Sequence, residues 1–113
     1  MRFSYKDALV WALLVLIAPV FVAAQGDAKK GKDLYTVKCV ACHNPTGIVK
    51  PAIEKMFSVK IRPLASKEVQ SYSDEQLQRR MVEGNGKMAS VEVTYKEAAD
   101  IIAYLRTMPK EKK

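Results

Sequence analysis

Both cysteines and the only histidine of the chain fall in the stretch CVACH, residues 39–43. No thiol or imidazole exists elsewhere, so whatever chemistry these groups support is assembled in this one run. The chain has 113 residues, which makes one domain the expectation. A polypeptide of this size buries a thin apolar core, and such domains commonly need a disulfide, a metal or another staple. CVACH is where the sequence can supply one.

The N-terminal stretch MRFSYKDALVWALLVLIAPVFVAA, residues 1–24, does not read as part of that domain. Arg2 and Lys6 make a positive start and an apolar run follows from Ala8 to Ala18. Val22 and Ala24 then suit a small-residue cleavage site before Gln25. This is the grammar of a secretory signal peptide. The competing reading is an uncleaved membrane anchor, but the apolar stretch is at the short end of the spanning range and Pro19 interrupts it. No cysteine stands at the cleavage point, which argues against a lipid anchor. The expected organisation is a cleaved signal peptide over 1–24, one domain over 25–109, and a frayed tail over 110–113. The formal net charge is +7, with Lys and Arg spread from Lys29 to Lys113. Such a balance suits acidic protein partners. No basic–aromatic motif accompanies it, so the reading is no nucleic acid. A membrane enters only if the N-terminal segment stays uncleaved.

Pattern and capping signals predict an all-α chain. A first helix is expected over Ala28–Val40, with Asp27 as its N-cap. Gly31, Leu34, Tyr35 and Lys38 share one face of it. A mid-helix glycine costs about 1 kcal/mol against alanine, which points to another backbone passing close by. A second helix is expected over Asp74–Glu83, where Ser73 and Gln76 form a capping box and Gly84 stops the run. A third is expected over Tyr95–Met108, with Thr94 and Glu97 as the capping box and Pro109 marking the end. The stretch 44–72 has weak periodicity, with a short helix at Pro51–Phe57. It still carries Ile48, Val49, Ile53, Met56, Phe57, Val59, Ile61 and Leu64, which need an irregular core or a non-polypeptide surface to cover.

Four readings of CVACH compete. A disulfide suits an exported protein. A thioredoxin-like pair wants a βαβ context, and the flanks here are helical. Structural zinc takes four ligands, and two cysteines with one histidine leave it one short. The fourth reading is covalent haem attachment, the assignment for C-x-x-C-H. Two thiols one helical turn apart can add to neighbouring vinyl groups on one edge of the ring. His43 lies on the same side and can reach the iron. The ring then becomes a permanent part of a thin core.

With CVACH in this setting, the chain resembles the class I c-type cytochromes, small electron carriers with a single haem. The residues that carry the resemblance are GKDLYTVKCVACH at 31–43, GNGKM at 84–88 and ADIIAYLRTM at 99–108. The resemblance implies the cytochrome c fold: three main helices, a short helix and long loops wrapped around one covalent haem c with its iron. It implies an N-terminal and a C-terminal helix crossing closely, so that Gly31 and Tyr35 meet Tyr104 and its neighbours. Cys39 and Cys42 are the attachment residues and His43 is the first iron ligand.

For the second ligand, Met56, Met81, Met88 and Met108 all compete with a packing role. Met81 and Met108 lie on helical apolar faces. Met88 ends a polar, glycine-rich stretch that gives an apolar side chain no helix to serve, and the family pattern puts its methionine ligand in such a loop. Met88 is therefore the expected ligand, with Met56 behind it; Ala89 stands where the family often has proline. The resemblance also assigns a proline carbonyl as acceptor for the histidine's other N–H. Pro51 is the first candidate and Pro45 the second, although Lys50 replaces the glycine often found before that proline.

The functional expectation is an electron-transfer protein, not an enzyme, with both axial positions filled. It would shuttle one electron between donor and acceptor proteins outside the cytoplasmic membrane, most naturally in a bacterial periplasm. Lys38 and Lys87 are candidates for the docking rim. The alternatives are a haem-bearing subunit of a larger oxidoreductase, or a five-coordinate haem peroxidase or gas sensor. The last lacks a second histidine for distal proton transfer.

Overall fold

Asp27 opens the first helix as expected: its carboxylate accepts from the amides of Lys29 at 3.0 Å and Lys30 at 3.2 Å. The computed structural model describes residues 4–9 and 26–109. The cleavage site and the tail 110–113 lie outside the described residues. Helix α1 spans Ala28–Lys38, α2 Val40–His43, α3 Pro51–Phe57, α4 Lys67–Gln70, α5 Asp74–Glu83 and α6 Tyr95–Leu105. Among the described residues the extended pairing is an isolated bridge between Asn85 and Met88. No described helix is long and apolar enough to cross a membrane.

Three boundaries differ from the sequence expectation. The first helix ends at Lys38 instead of running through to Val40, because Cys39 adopts φ −118° and ψ −28°, away from ideal helical values. The Cys39 amide still closes onto the Tyr35 carbonyl, while its own carbonyl accepts from Cys42 and His43 and starts α2. The last helix ends at Leu105 instead of Met108. Pro109 disfavours helical backbone at the residue before it, and the chain tightens to i→i+3 bonds from Thr107 to Tyr104 and from Met108 to Leu105. Helix α4 was not anticipated; Ser66 caps it by accepting from the Val69 amide. Both expected capping boxes, Ser73 with Gln76 and Thr94 with Glu97, are present.

The core is built on α6. Ala98, Ile101, Ile102 and Leu105 are buried there with Tyr35, Leu77, Met81 and Met108. Each large apolar side chain so buried contributes about 1.5–3 kcal/mol. Helix α1 packs directly on α6, and α5 packs on α6 as well. The mid-helix glycine explains the first contact. A Cβ on Gly31 would sit 1.8 Å from the Asp100 carbonyl oxygen, so the two backbones touch. Gly26 does the same one turn earlier, against the Ala99 carbonyl at 2.0 Å. The partner of Gly31 is thus Asp100, while Tyr35 meets Tyr104 edge to face with centroids 5.3 Å apart.

Two polar clusters fasten this frame. The buried Asp100 carboxylate accepts from the Asp27 amide at 2.8 Å and from Lys96 Nζ at 2.5 Å, tying the start of α1 to α6. At the other end of α6, Arg106 donates to the carbonyls of Gln70 and Tyr72 and to Asp74 Oδ1.

Candidate cofactor cleft

Between α2, the 53–64 segment, α5 and the 85–91 loop lies a cleft of about 560 Å³. That falls within the roughly 300–1,000 Å³ typical of cofactor sites. Ile53, Phe57, Leu64, Val69, Leu77 and Leu105 are among its apolar lining. Much of the apolar content of the weakly periodic 44–72 stretch is therefore turned toward this space instead of a second helical core.

CVACH forms one end of the lining. The break at Cys39 puts Cys39, Cys42 and His43 on the cleft together. Both cysteines are free thiols, Cys42 exposed and Cys39 partly buried. Burial pushes the Cys39 thiol up to about 11, so it stays protonated at neutral pH. That is the opposite of a redox-active thiolate, whose value is lowered. Burial also lowers the His43 imidazole below its ordinary value, which keeps the ring neutral and its lone pair available. Its Nδ1 is buried and has no hydrogen-bond partner among the described residues. Among the described residues, no group of three or more Cys, His, Asp or Glu side chains could hold a metal ion.

Tyr35, which also lines the cleft, ties this wall in place. Its buried hydroxyl donates to the Asn44 carbonyl at 2.5 Å and lies 3.3 Å from the His43 carbonyl. Burial raises its pKa well above the ordinary phenol value, with Cys39 and Tyr104 adding to the effect. Asn44 itself has a positive φ of 58°, a conformation that tertiary bonds must enforce in a non-glycine residue.

The four candidate methionines separate clearly. Met88 lines the cleft, partly buried. Its loop is closed by the Asn85 amide to the Met88 carbonyl at 2.9 Å and the reverse bond at 3.0 Å. Gly84 and Gly86 supply the positive φ values of 87° and 58° that the turn requires. Met81 also lines the cleft but is buried in the helical core. Met108 is buried near Gly47. Met56 is 71% exposed and does not line the cleft, because the face of α3 turned inward carries Ile53 and Phe57.

Pro51 stands at the start of a helix. It occupies the first turn of α3, where a missing N–H costs nothing, and it is exposed and outside the cleft lining. It is not the partner of His43 Nδ1 in this structure, and Pro45 is exposed too. Sequence reasoning also missed Arg80, whose guanidinium lies over the Tyr72 ring at 4.0 Å from the centroid, with both residues on the cleft. Tyr72 precedes α5 and Arg80 is near its end, so no local signal joins them.

An apolar cleft, two unpaired thiols on it and a neutral imidazole with an orphaned nitrogen fit a flat, covalently held metal macrocycle. The comparisons agree with that fit. The family model for cytochrome c matches residues 28–109. The crystal structure of cytochrome cL from Hyphomicrobium denitrificans is similar, with a TM-score of 0.53 and 21% sequence identity. The likeness covers 88% of this chain and 56% of that one, so the chain spans just over half the length of that protein. At this identity the match speaks for the fold alone. No curated protein matches the sequence.

Proposed function

The chain belongs to the cytochrome c family of electron-transferring haem proteins, with a covalently bound haem c as cofactor, and from that premise we propose that it is a one-electron carrier with His43 and Met88 as axial ligands. When bound, the haem supplies an iron centre that gains and loses one electron. The residues of the chain do the rest. Cys39 and Cys42 offer two thiols for thioether links. His43 presents a neutral imidazole, because burial disfavours its protonated form. Met88 offers a soft thioether from a loop whose glycines allow close backbone approach. His/Met ligation raises the potential of haem iron and leaves no position open for substrate. Apolar walls limit solvent rearrangement when the charge changes.

One observation carries this reading: Cys39, Cys42, His43 and Met88, from two separate parts of the chain, line a single apolar cleft. Met56, the rival ligand, does not. The signal-peptide reading of residues 1–24 places the carrier outside the cytoplasmic membrane, and a bacterial periplasm suits it. Exposed Lys38 and Lys87 on the cleft suit brief, charge-steered encounters with acidic donor and acceptor proteins.

The test is the optical spectrum of exported protein. The ferric form should show the weak red charge-transfer band of a sulfur–iron bond, and Met88→Ala should abolish it while Met56→Ala leaves it intact. Survival of the band in Met88→Ala would reject the ligand. Rapid carbon monoxide binding by the native ferrous form would reject the closed carrier. A mature N-terminus at Gln25 in a soluble fraction is the expected sign of release.

A further inference from the structure

Tyr35 touches both ends of the CVACH stretch. Its backbone carbonyl accepts from the Cys39 amide at 2.9 Å. Its hydroxyl reaches the far end of the run, donating to the Asn44 carbonyl at 2.5 Å and lying 3.3 Å from the His43 carbonyl. A phenol has one proton to give, so the two carbonyls share it, with Asn44 favoured by distance. Among the described residues no other donor reaches the His43 carbonyl. The ring that carries the hydroxyl is 1% exposed and stands edge to face against Tyr104. Its own packing therefore fixes where the hydroxyl points.

A ligating imidazole usually has its second nitrogen engaged by a carbonyl or carboxylate, and that partner sets the orientation of the ring. His43 Nδ1 has no such partner among the described residues. Orientation then falls to the backbone that carries the imidazole. On its N-terminal side that backbone is held by the Cys39 carbonyl, which accepts from the Cys42 and His43 amides. On its C-terminal side α2 stops at once, and Asn44 turns to a φ of 58°. A non-glycine residue keeps that conformation only where its surroundings enforce it. The other bonds at the turn are local: the Gly47 amide to the Asn44 carbonyl at 3.1 Å, and Asn44 Nδ2 to the Ile48 carbonyl at 3.0 Å. Among the described residues, the Tyr35 hydroxyl is the hydrogen-bond donor that reaches His43 and Asn44 from another helix.

We infer that Tyr35 is a positioning residue for His43: its hydroxyl pins the peptide that follows the ligand and, through it, the plane of the imidazole. The inference rests on the haem-carrier reading above and adds to it the group that holds the ligand in one orientation. The ring of Tyr35 serves the crossing of α1 and α6, whereas the hydroxyl serves the ligand. The experiment uses exported, haem-bearing protein and separates the two. Tyr35→Phe removes the hydroxyl but keeps the ring, its packing on Tyr104 and the carbonyl that meets Cys39. Arg106→Ala is the comparison, because Arg106 lies off the cleft and its loss weakens the fold elsewhere. The readout is proton NMR of the ferric protein, where the order and spread of the haem methyl shifts follow the orientation of the axial ligands.

Both variants should lose stability, since each leaves carbonyls without their donor, so an unfolding midpoint does not distinguish the roles. The methyl pattern does. Tyr35→Phe should redistribute the shifts, and Arg106→Ala should keep the wild-type order and spread. Unchanged methyl shifts in Tyr35→Phe overturn the inference and leave the hydroxyl a purely structural role. Equal changes in both variants overturn it as well. If Tyr35→Phe does not mature, the wild type decides. In its ferrous form the Tyr35 hydroxyl proton should exchange slowly enough with water to be observed, with cross-peaks to Asn44. A hydroxyl proton lost to rapid exchange overturns the inference. Wild-type protein lacking thioether-linked haem would instead refute the carrier reading itself.

Discussion

Replacing Gly31 with alanine sets two physical effects against each other, and the structure decides between them. In isolation the change favours a helix by about 1 kcal/mol. In this fold the new Cβ would stand 1.8 Å from the Asp100 carbonyl oxygen, 2.4 Å from its carbon and 2.9 Å from the Ile101 nitrogen. These are backbone atoms of α6, so no side chain can swing away. The helices must part by more than an ångström to restore the 3.0 Å below which real Cβ contacts do not occur. A gap of only about 0.5–1 Å forfeits roughly a quarter to a half of the dispersion contact along it, so that fraction is the least to be lost here. Tyr35, Ile101 and Ile102 are the large, fully buried side chains of these two helices. Together they represent about 7 kcal/mol of burial, so the loss is about 2–3.5 kcal/mol. Subtracting the gain in propensity leaves a net destabilisation of about 2 kcal/mol. For a domain of this size that corresponds to a fall in Tm of about 8–16 °C. The assay is thermal and guanidinium unfolding of the haem-bearing protein, followed by far-ultraviolet circular dichroism. Gly86→Ala is the control: its Cβ meets nothing within 4 Å, and its φ of 58° alone costs about 1 kcal/mol. A Gly31→Ala protein as stable as wild type, or less perturbed than Gly86→Ala, would refute the claim that backbone contact governs this crossing.

Asp100 should give the fold a defined acid sensitivity. The hydrogen bond from Lys96, with the Asp27 amide assisting, holds its carboxyl below the usual carboxylate range against the opposing effect of burial. The folded state then binds fewer protons than the unfolded one, so this contribution is complete above the ordinary value of about 3.9 and is lost as pH falls through the lower folded value. Asp100→Asn should destabilise by about 1–3 kcal/mol at neutral pH, and denaturation midpoints of mutant and wild type should converge as pH falls below the ordinary carboxylate range; a gap that stays constant throughout that descent would contradict the linkage. Arg106→Ala should cost about 2 kcal/mol by removing donors from the Gln70 and Tyr72 carbonyls and from Asp74. Arg106→Lys should recover little of it in urea unfolding, because one ammonium cannot span that set.

The legible features were local ones. Asp27, Ser73 with Gln76, and Thr94 with Glu97 cap their helices because a cap joins a side chain to an amide two or three residues away, and that spacing is written in the chain. The glycine at 31 also spoke for itself, since its cost in a helix demands a return elsewhere. The turn at Cys39 was not legible, because helix propensity runs straight through it. Neither was helix α4, nor the Arg106 network, which depends on residues more than thirty positions apart being brought together.

What the sequence determined alone is the chemistry available: a C-x-x-C-H run with no other thiol or imidazole, and helices fixed by caps and periodicity. What only the tertiary structure decided is which remaining side chains face that chemistry. It put Met88 on the cleft and Met56 in solvent, set Pro51 at the start of a helix, and stacked Arg80 on Tyr72. The reason is that spacing along a chain sets which groups share a local turn, whereas a cleft is walled by whichever faces remain after α1 and α6 have closed on each other.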